Sequence, residues 1–231
     1  MKPIFRQITP LICEFEWDLP ITDELLQQQL GFKSNLEKDF SSGIVELRMG
    51  FKTLALILSS HLVAGEIENW MSYFKAAADL KPLPEKIWQI PVCYSLETGR
   101  DLAALATHKK ISQKELISMH SQPLYRIHFY GFLPGFMYLN GLNETLHTAR
   151  KSVPDRVVPA GSVAIGGSQT GIYPSASPGG WHLIGQTPIS LFDPRQANPV
   201  FASAGERIEF IPISNQEFEH LKKHPQNPKS K

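Results

Sequence analysis

Between residues 1 and 95 the apolar positions change their period several times, and each change marks an element. Phe5 to Ile12 reads as a strand. Thr22 is placed as an N-cap, with Asp23 and Glu24 in the first helical turn, and Gly31 falls where a glycine would stop that helix. In Ile44-Val45-Glu46-Leu47-Arg48-Met49 charges alternate with apolar residues, the period of a half-buried strand. Gly50 marks a turn, and Thr53 to Leu58 is the next strand. Ile67, Trp70, Met71, Phe74 and Ala78 recur at helical spacing, and Pro82 and Pro84 close that helix. Ile87 to Tyr94 is a final strand whose Pro91 argues for an edge or a strand end. Strand, helix, strand, strand, helix, strand is the split βαβ order of a ferredoxin-like fold, assigned here to residues 1–88.

After Tyr94 the texture changes. Asp101 to His108 is a short helix, and Ser112 with Glu115 forms a capping box ahead of Leu116, Ile117 and Met119. Leu124 to Tyr130 alternates as a strand. From Gly131 to Gly185 the chain carries 10 of its 16 glycines. Short apolar runs lie between and beyond them: Val157-Val158, Val163-Ala164-Ile165, Leu183-Ile184, Ile189 to Phe192, and Arg207 to Ile213. Many short strands with close turns predict a β-barrel or sandwich over residues 89–215. The segment 216–231 is read as a polar tail, frayed from Lys222 onward. The overall class is α+β.

Composition narrows the function classes. With 231 residues and 42% hydrophobic content, the chain builds one or two cores without a metal or disulfide staple. Lys plus Arg is 23 against Asp plus Glu at 22, so there is no global attraction to nucleic acid or to an anionic membrane. Cys13 and Cys93 form neither a disulfide framework nor a metal set and read as buried apolar residues in a reducing compartment. No secretory signal and no membrane-length apolar run is visible, so the expected location is the cytoplasm.

The chemistry-bearing stretches are unusual for what they lack. Val157 to Phe192 is 36 residues without one Asp, Glu, Lys or Arg. This stretch offers backbone amides, Ser162, Gln169, Thr170, Tyr173 and the large ring of Trp181. That suits either the orientation of a neutral or planar ligand or the tight turns of a barrel. Gly131-Phe132-Leu133-Pro134-Gly135-Phe136 follows a strand directly, and reads either as a pocket wall or as a Pro-Gly turn between core aromatics. No phosphate loop and no dinucleotide fingerprint is present. His120 and His128 sit on different elements without a third ligand, so no metal site is assigned. Arg150, Lys151 and Arg156 form a basic cluster that is either a solvated loop or an anion clamp.

Several of these motifs in series resemble one family. Pro159-Ala160-Gly161-Ser162-Val163, Gln169 to Pro174, and Ser177-Pro178-Gly179-Gly180-Trp181-His182-Leu183-Ile184-Gly185 are similar to the signature of the 5-oxoprolinase B subunits. That family is also described as KipI-like and as allophanate hydrolase subunit 1. Gly131 to Leu139, His120, Tyr125, Ile90 to Tyr94, Gly99 and Asp101-Leu102 match it too. The chain departs from the pattern at Ser95-Leu96, where two glycines are common, and at Asp155, where an Arg usually follows the proline.

The resemblance implies a small N-terminal α/β domain and a cyclophilin-like C-terminal barrel. It implies partnership with the enzyme's A and C subunits, of which C is a second cyclophilin-like chain. Together they would open 5-oxo-L-proline to L-glutamate at the expense of ATP, with Mg. A lactam is a poor electrophile, and phosphorylating its oxygen turns that oxygen into a leaving group, which requires cationic clamps and oriented donors. The same resemblance admits a binding module that inhibits a sensor histidine kinase, or a component of a complex acting on another amide such as allophanate. The groove residues proposed on this reading are Phe132, Pro134, Gly135 and Phe136 as a wall and Gln169, Thr170 and Tyr173 as orienting groups. Arg150 is the anion contact, and Trp181 is a barrel-core aromatic. No catalytic residue is assigned.

Overall fold

The computed structural model describes residues 2–38, 43–74, 80 and 82–231. The chain divides into two compact units, Met1–Leu83 and Pro84–Lys231.

The first unit contains β1 (Ile4–Thr9), β2 (Ile12–Glu16), α1 (Asp23–Glu37), β3 (Ile44–Met49), β4 (Thr53–Leu58) and α2 (Glu66–Ser72). Cys13, Phe15 and Trp17 alternate toward one face of the sheet, as do Leu54, Leu56 and Leu58. That face buries Leu25, Phe32 and Leu36 of α1. The Thr22 hydroxyl accepts from the Leu25 amide at 3.2 Å, so the N-cap forms where the sequence places it.

Four expectations change here. Phe5–Ile12 is not one strand: the chain turns after Thr9, and β1 and β2 form an antiparallel hairpin. Pro10 sits in that turn. Gly31 does not stop α1, which runs on to Glu37. A Cβ at Gly31 would lie 2.5 Å from Leu80 Cδ2, so its glycine serves close packing. The ferredoxin-like arrangement is not what the described residues build. The sheet order is β1-β2-β4-β3, with every neighbouring pair antiparallel. The strand expected to complete that fold belongs to the other unit. The second helix ends at Ser72, short of Phe74, and Ala78 lies outside the described residues.

The second unit contains β5 (Ile87–Cys93), α3 (Leu102–Lys109), α4 (Gln113–Ser121), β6 (Leu124–Tyr130), β7 (Met137–Asn140) and β8 (Asp155–Val158). It continues through β9 (Ser162–Gly166), β10 (Gln169–Ile172), β11 (Ser177–Gly179), β12 (His182–Gln186), β13 (Arg207–Ile213), α5 (Asn215–Lys223) and β14 (Lys229–Ser230). Seven strands close a barrel in the order β12-β9-β10-β7-β6-β13-β5, and Gln186 opposite Cys93 joins the ends of the ring. The barrel is consistent with the cyclophilin-like form the resemblance implies. β5 pairs in parallel with β13 along its whole length, from Ile87 opposite Arg207 to Cys93 opposite Ile213.

The capping box forms: Glu115 accepts from the Ser112 amide at 2.7 Å and Ser112 from the Glu115 amide at 3.1 Å. Ile189–Phe192 forms no strand, although Ile189 and Leu191 are buried in the barrel core. The tail is also more ordered than expected. Ser214 caps α5, and Lys229 and Ser230 pair with Gln89 and Trp88.

Alternation decides which residues fill the barrel. On β9, Val163 and Ile165 point into the main core, while Ala164 points outward into a second cluster with Phe136, Val158, Tyr173, Trp181 and Leu183. β9 is therefore buried on both faces, which explains its unbroken apolar run. Among the described residues no helix is long and apolar enough to cross a membrane.

Candidate functional site

The outer cluster forms the floor of an open cleft of about 340 Å3. Its wall carries Phe132, Phe136, Tyr138, Tyr173 and Trp181, and its charged side chains are Arg150 and Lys151. Phe136 is the hub, edge-on to Phe132 at 5.5 Å, to Tyr173 at 5.4 Å and to Trp181 at 5.6 Å. Such pairs of rings contribute beyond their buried area.

The glycines of this stretch make room for those rings. A Cβ at Gly166 would meet the Trp181 ring at 2.5 Å, one at Gly179 the Tyr173 hydroxyl at 2.4 Å, and one at Gly171 the tip of Phe136 at 3.0 Å. The alternatives left open by the sequence, ligand-facing amides or tight turns, both miss this third use of glycine.

Phe132 is held at φ +65°, the left-handed region, and is 60% exposed at the rim. A bulky residue there costs about 1–3 kcal/mol and persists only where its surroundings hold it. Here a short turn holds it: Leu133 N–H donates to Gly131 O at 2.8 Å and Phe136 N–H to Leu133 O at 2.9 Å.

The basic cluster does not act as one. Lys151 donates to Asp101 at 2.7 Å and to Asp155 at 2.8 Å, and Asp155 also pairs with Arg100 at 2.7 Å. Two cations and two carboxylates cancel. Asp155, at the position where the family pattern has an arginine, thus joins a neutral network, and those cations hold its carboxyl below the usual range against the opposing effect of burial. Arg156 is exposed on β8, outside the cleft wall. Arg150 differs from both: among the described residues it makes no ion pair, and its guanidinium carbon lies 5.5 Å from the centre of the Trp181 ring.

The two tyrosines of the cleft are proton donors at neutral pH. Burial pushes both phenols up, and the Arg150 charge offsets part of that rise. The Trp181 backbone amide acts on the Tyr173 phenol in the same direction as the Arg150 charge, against the larger effect of burial.

Of the residues singled out in the sequence, Phe132, Phe136, Arg150 and Tyr173 come together in this cleft. Pro134, Gly135, Gln169 and Thr170 do not line it. Gly135, at φ +83°, packs against Phe192, where a Cβ would stand 2.7 Å from that side chain's own Cβ. Pro134 is exposed beside it, and Gln169 opens the β10 ladder opposite Gly166. Thr170 faces the barrel interior. Tyr138 and Trp181 were not assigned as wall residues by the sequence. Tyr138 was legible as the position two beyond Phe136 on the same side of a strand.

Thr170 belongs to a buried polar chain. Its hydroxyl donates to Ala164 O at 2.9 Å and therefore accepts from His120 Nε2–H at 2.8 Å. His120 Nδ1 is left to accept from the Tyr94 hydroxyl at 2.8 Å, an assignment dictated by the network. Phe210 stacks on the imidazole at 4.7 Å. Burial lowers the His120 pKa to about 3, so the ring is neutral across the physiological range.

The cleft and the closed barrel place the chain in a known class. The family model for the carboxyltransferase domain, subdomain C and D, matches residues 5–202. The urea carboxylase of Kluyveromyces lactis shares this fold, with a TM-score of 0.79 over 98% of this chain and 23% of that one, at 17% identity. The B subunit of the 5-oxoprolinase of Escherichia coli O157:H7 is 42% identical over 171 residues, which is 73% of this chain and 78% of that protein. Its namesake in Haemophilus influenzae is 38% identical over 192 residues, 83% of this chain and 89% of that protein. The chain belongs to the family of 5-oxoprolinase B subunits.

Proposed function

We propose that this chain is the B subunit of an ATP-dependent 5-oxoprolinase, working with the A and C subunits to open 5-oxo-L-proline to L-glutamate. One observation carries the reading beyond kinship. Among the described residues, the cleft holds donors and one uncompensated cation, but no lining side chain able to act as nucleophile or as general base. Lys151 is spent on two carboxylates, both tyrosines are protonated, and no carboxylate or imidazole lines the wall. Such a surface orients a substrate and leaves proton removal and phosphoryl transfer to another chain.

ATP with Mg does not fit this cleft. A triphosphate needs several cations, a bound Mg needs carboxylate or phosphate oxygens, and the net charge offered here is that of Arg150 alone. On this reading the nucleotide site lies outside this cleft. The test is glutamate release from 5-oxoproline and ATP by this chain with the A and C subunits, omitting each in turn. Activity that disappears when only this chain is left out supports the proposal. No activity from an assembled, otherwise competent complex defeats it, and loss of autophosphorylation in a histidine kinase mixed with the chain would then favour the inhibitory module.

A further inference from the structure

We infer that the last turn of α5 is a chelating site for one divalent transition-metal ion, copper(II) before others. His220 and His224 supply its protein ligands, and water completes the coordination. The inference goes beyond the function proposed above, and the site shares no residue with the cleft.

Three observations meet at this turn. His220 and His224 are one helical turn apart, so they stand on the same face, and their ring centres are 4.6 Å apart. Both are exposed, whereas Phe218 is buried and Leu221 lines a groove with Ile211 and Ile213. The helix is thus seated on the barrel by its other residues, and the two imidazoles are left to solvent. The second observation concerns the tautomer. His224 Nδ1 lies 3.1 Å from the His220 carbonyl oxygen, which can only accept. In the neutral ring Nδ1 therefore carries the proton and Nε2 the lone pair. A backbone carbonyl orients metal-binding histidines in this same way. Third, the pair stands at the C-terminal end of α5, where the helix dipole favours a cation.

The donor set decides the ion. Among the described residues no group of three or more His, Cys, Asp and Glu could hold a metal. That excludes a closed four-ligand zinc site and the oxygen cage that calcium needs. Two imidazoles with open positions suit copper(II) first, by the general order of affinities, and nickel(II) and zinc(II) after it. Lys222 and Lys223 share the turn and oppose a cation. The Lys222 ammonium, however, lies 3.9 Å from Glu219 and 5.6 Å from the Phe218 ring centre, and both draw on its charge.

The test is calorimetric titration of the full chain with copper(II), nickel(II), zinc(II) and magnesium chlorides, with electron paramagnetic resonance of the copper form. The expected result is a tight copper site whose spectrum shows two imidazole nitrogens, weaker binding of nickel and zinc, and none of magnesium. His220→Gln and His224→Gln should each weaken the copper site at least about tenfold, because a chelate becomes a single ligand. Glutamine is a good helix former, so both variants keep α5. Equal copper affinity in wild type and the double variant overturns the inference, since the ion would then sit on other residues. A copper spectrum with one nitrogen ligand, or tighter binding of magnesium than of copper, overturns it as well.

Discussion

The two faces of β10 treat a polar group in opposite ways. On the inner face Thr170 joins His120 and Tyr94 in a chain where each donor has an acceptor. On the outer face Gly171 yields space to Phe136 and Trp181, and the nearby Arg150 has aromatic company without an ionic partner. Both groups are ringed by aromatics, so ring count does not separate them. Satisfaction does. A buried polar group whose bonds are complete stabilises one arrangement of the core, whereas a charged group left with unused donors is available to a ligand.

The contrast can be broken from the inside first. His120→Ala should remove about 3 kcal/mol or more from unfolding stability, through the cavity it leaves and the orphaned Tyr94 and Thr170 hydroxyls, read as a lowered urea midpoint. Thr170→Val keeps the volume but strips His120 Nε2–H of its acceptor, and should cost about 1–3 kcal/mol in the same assay.

Acid provides a third test. The His120 pKa falls from 6.5 to about 3 on folding, so below pH 6.5 the unfolded chain binds a proton that the native state refuses. The stability from this group is complete above pH 6.5 and declines as pH falls toward 3, by roughly 1.4 kcal/mol per pH unit. His120→Gln should flatten that slope between pH 6.5 and 5.5, above the range in which most carboxylates protonate. An unchanged slope would show that the imidazole is not held neutral.

On the outer face the stability effects should nearly vanish. Arg150→Gln is expected to unfold within about 0.5 kcal/mol of wild type, since an exposed side chain without an ion pair contributes little. A larger loss would make Arg150 structural. Smallest of all, Phe132→Asn should leave stability unchanged or slightly raised, because asparagine tolerates the left-handed region, while ligand affinity falls with the ring. Equal affinity in that variant would remove Phe132 from the site.

What the sequence revealed depended on how local the physics was. β3, β4, β6 and the Ser112 capping box form where alternation and capping place them, because nearby residues determine them. β5 forms in place but in an unexpected sheet. Its partners, Arg207–Ile213, lie far along the chain, and nothing within Ile87–Cys93 names them. The hairpin of β1 and β2 was concealed by reading through Pro10, although Cys13, Phe15 and Trp17 already alternated. In the cleft, residue types pointed to an aromatic wall and an anion contact. They did not show that Thr170 faces inward, or that Lys151 is consumed by Asp101 some fifty residues earlier.

The parallel pairing of β5 with β13 also sets a timetable. Strands of the first unit find partners within a short stretch of chain, so that unit can form while synthesis continues. The first barrel strand must wait for residues 207–213, and its remaining edge for residues 229 and 230. Loop closure over that separation is slow, and the waiting edge is an invitation to wrong partners. On the ribosome, protection of the Cys13–Trp17 amides should precede protection at Ile87–Gln89, which makes the emergence of residues 207–230 a control point for productive folding.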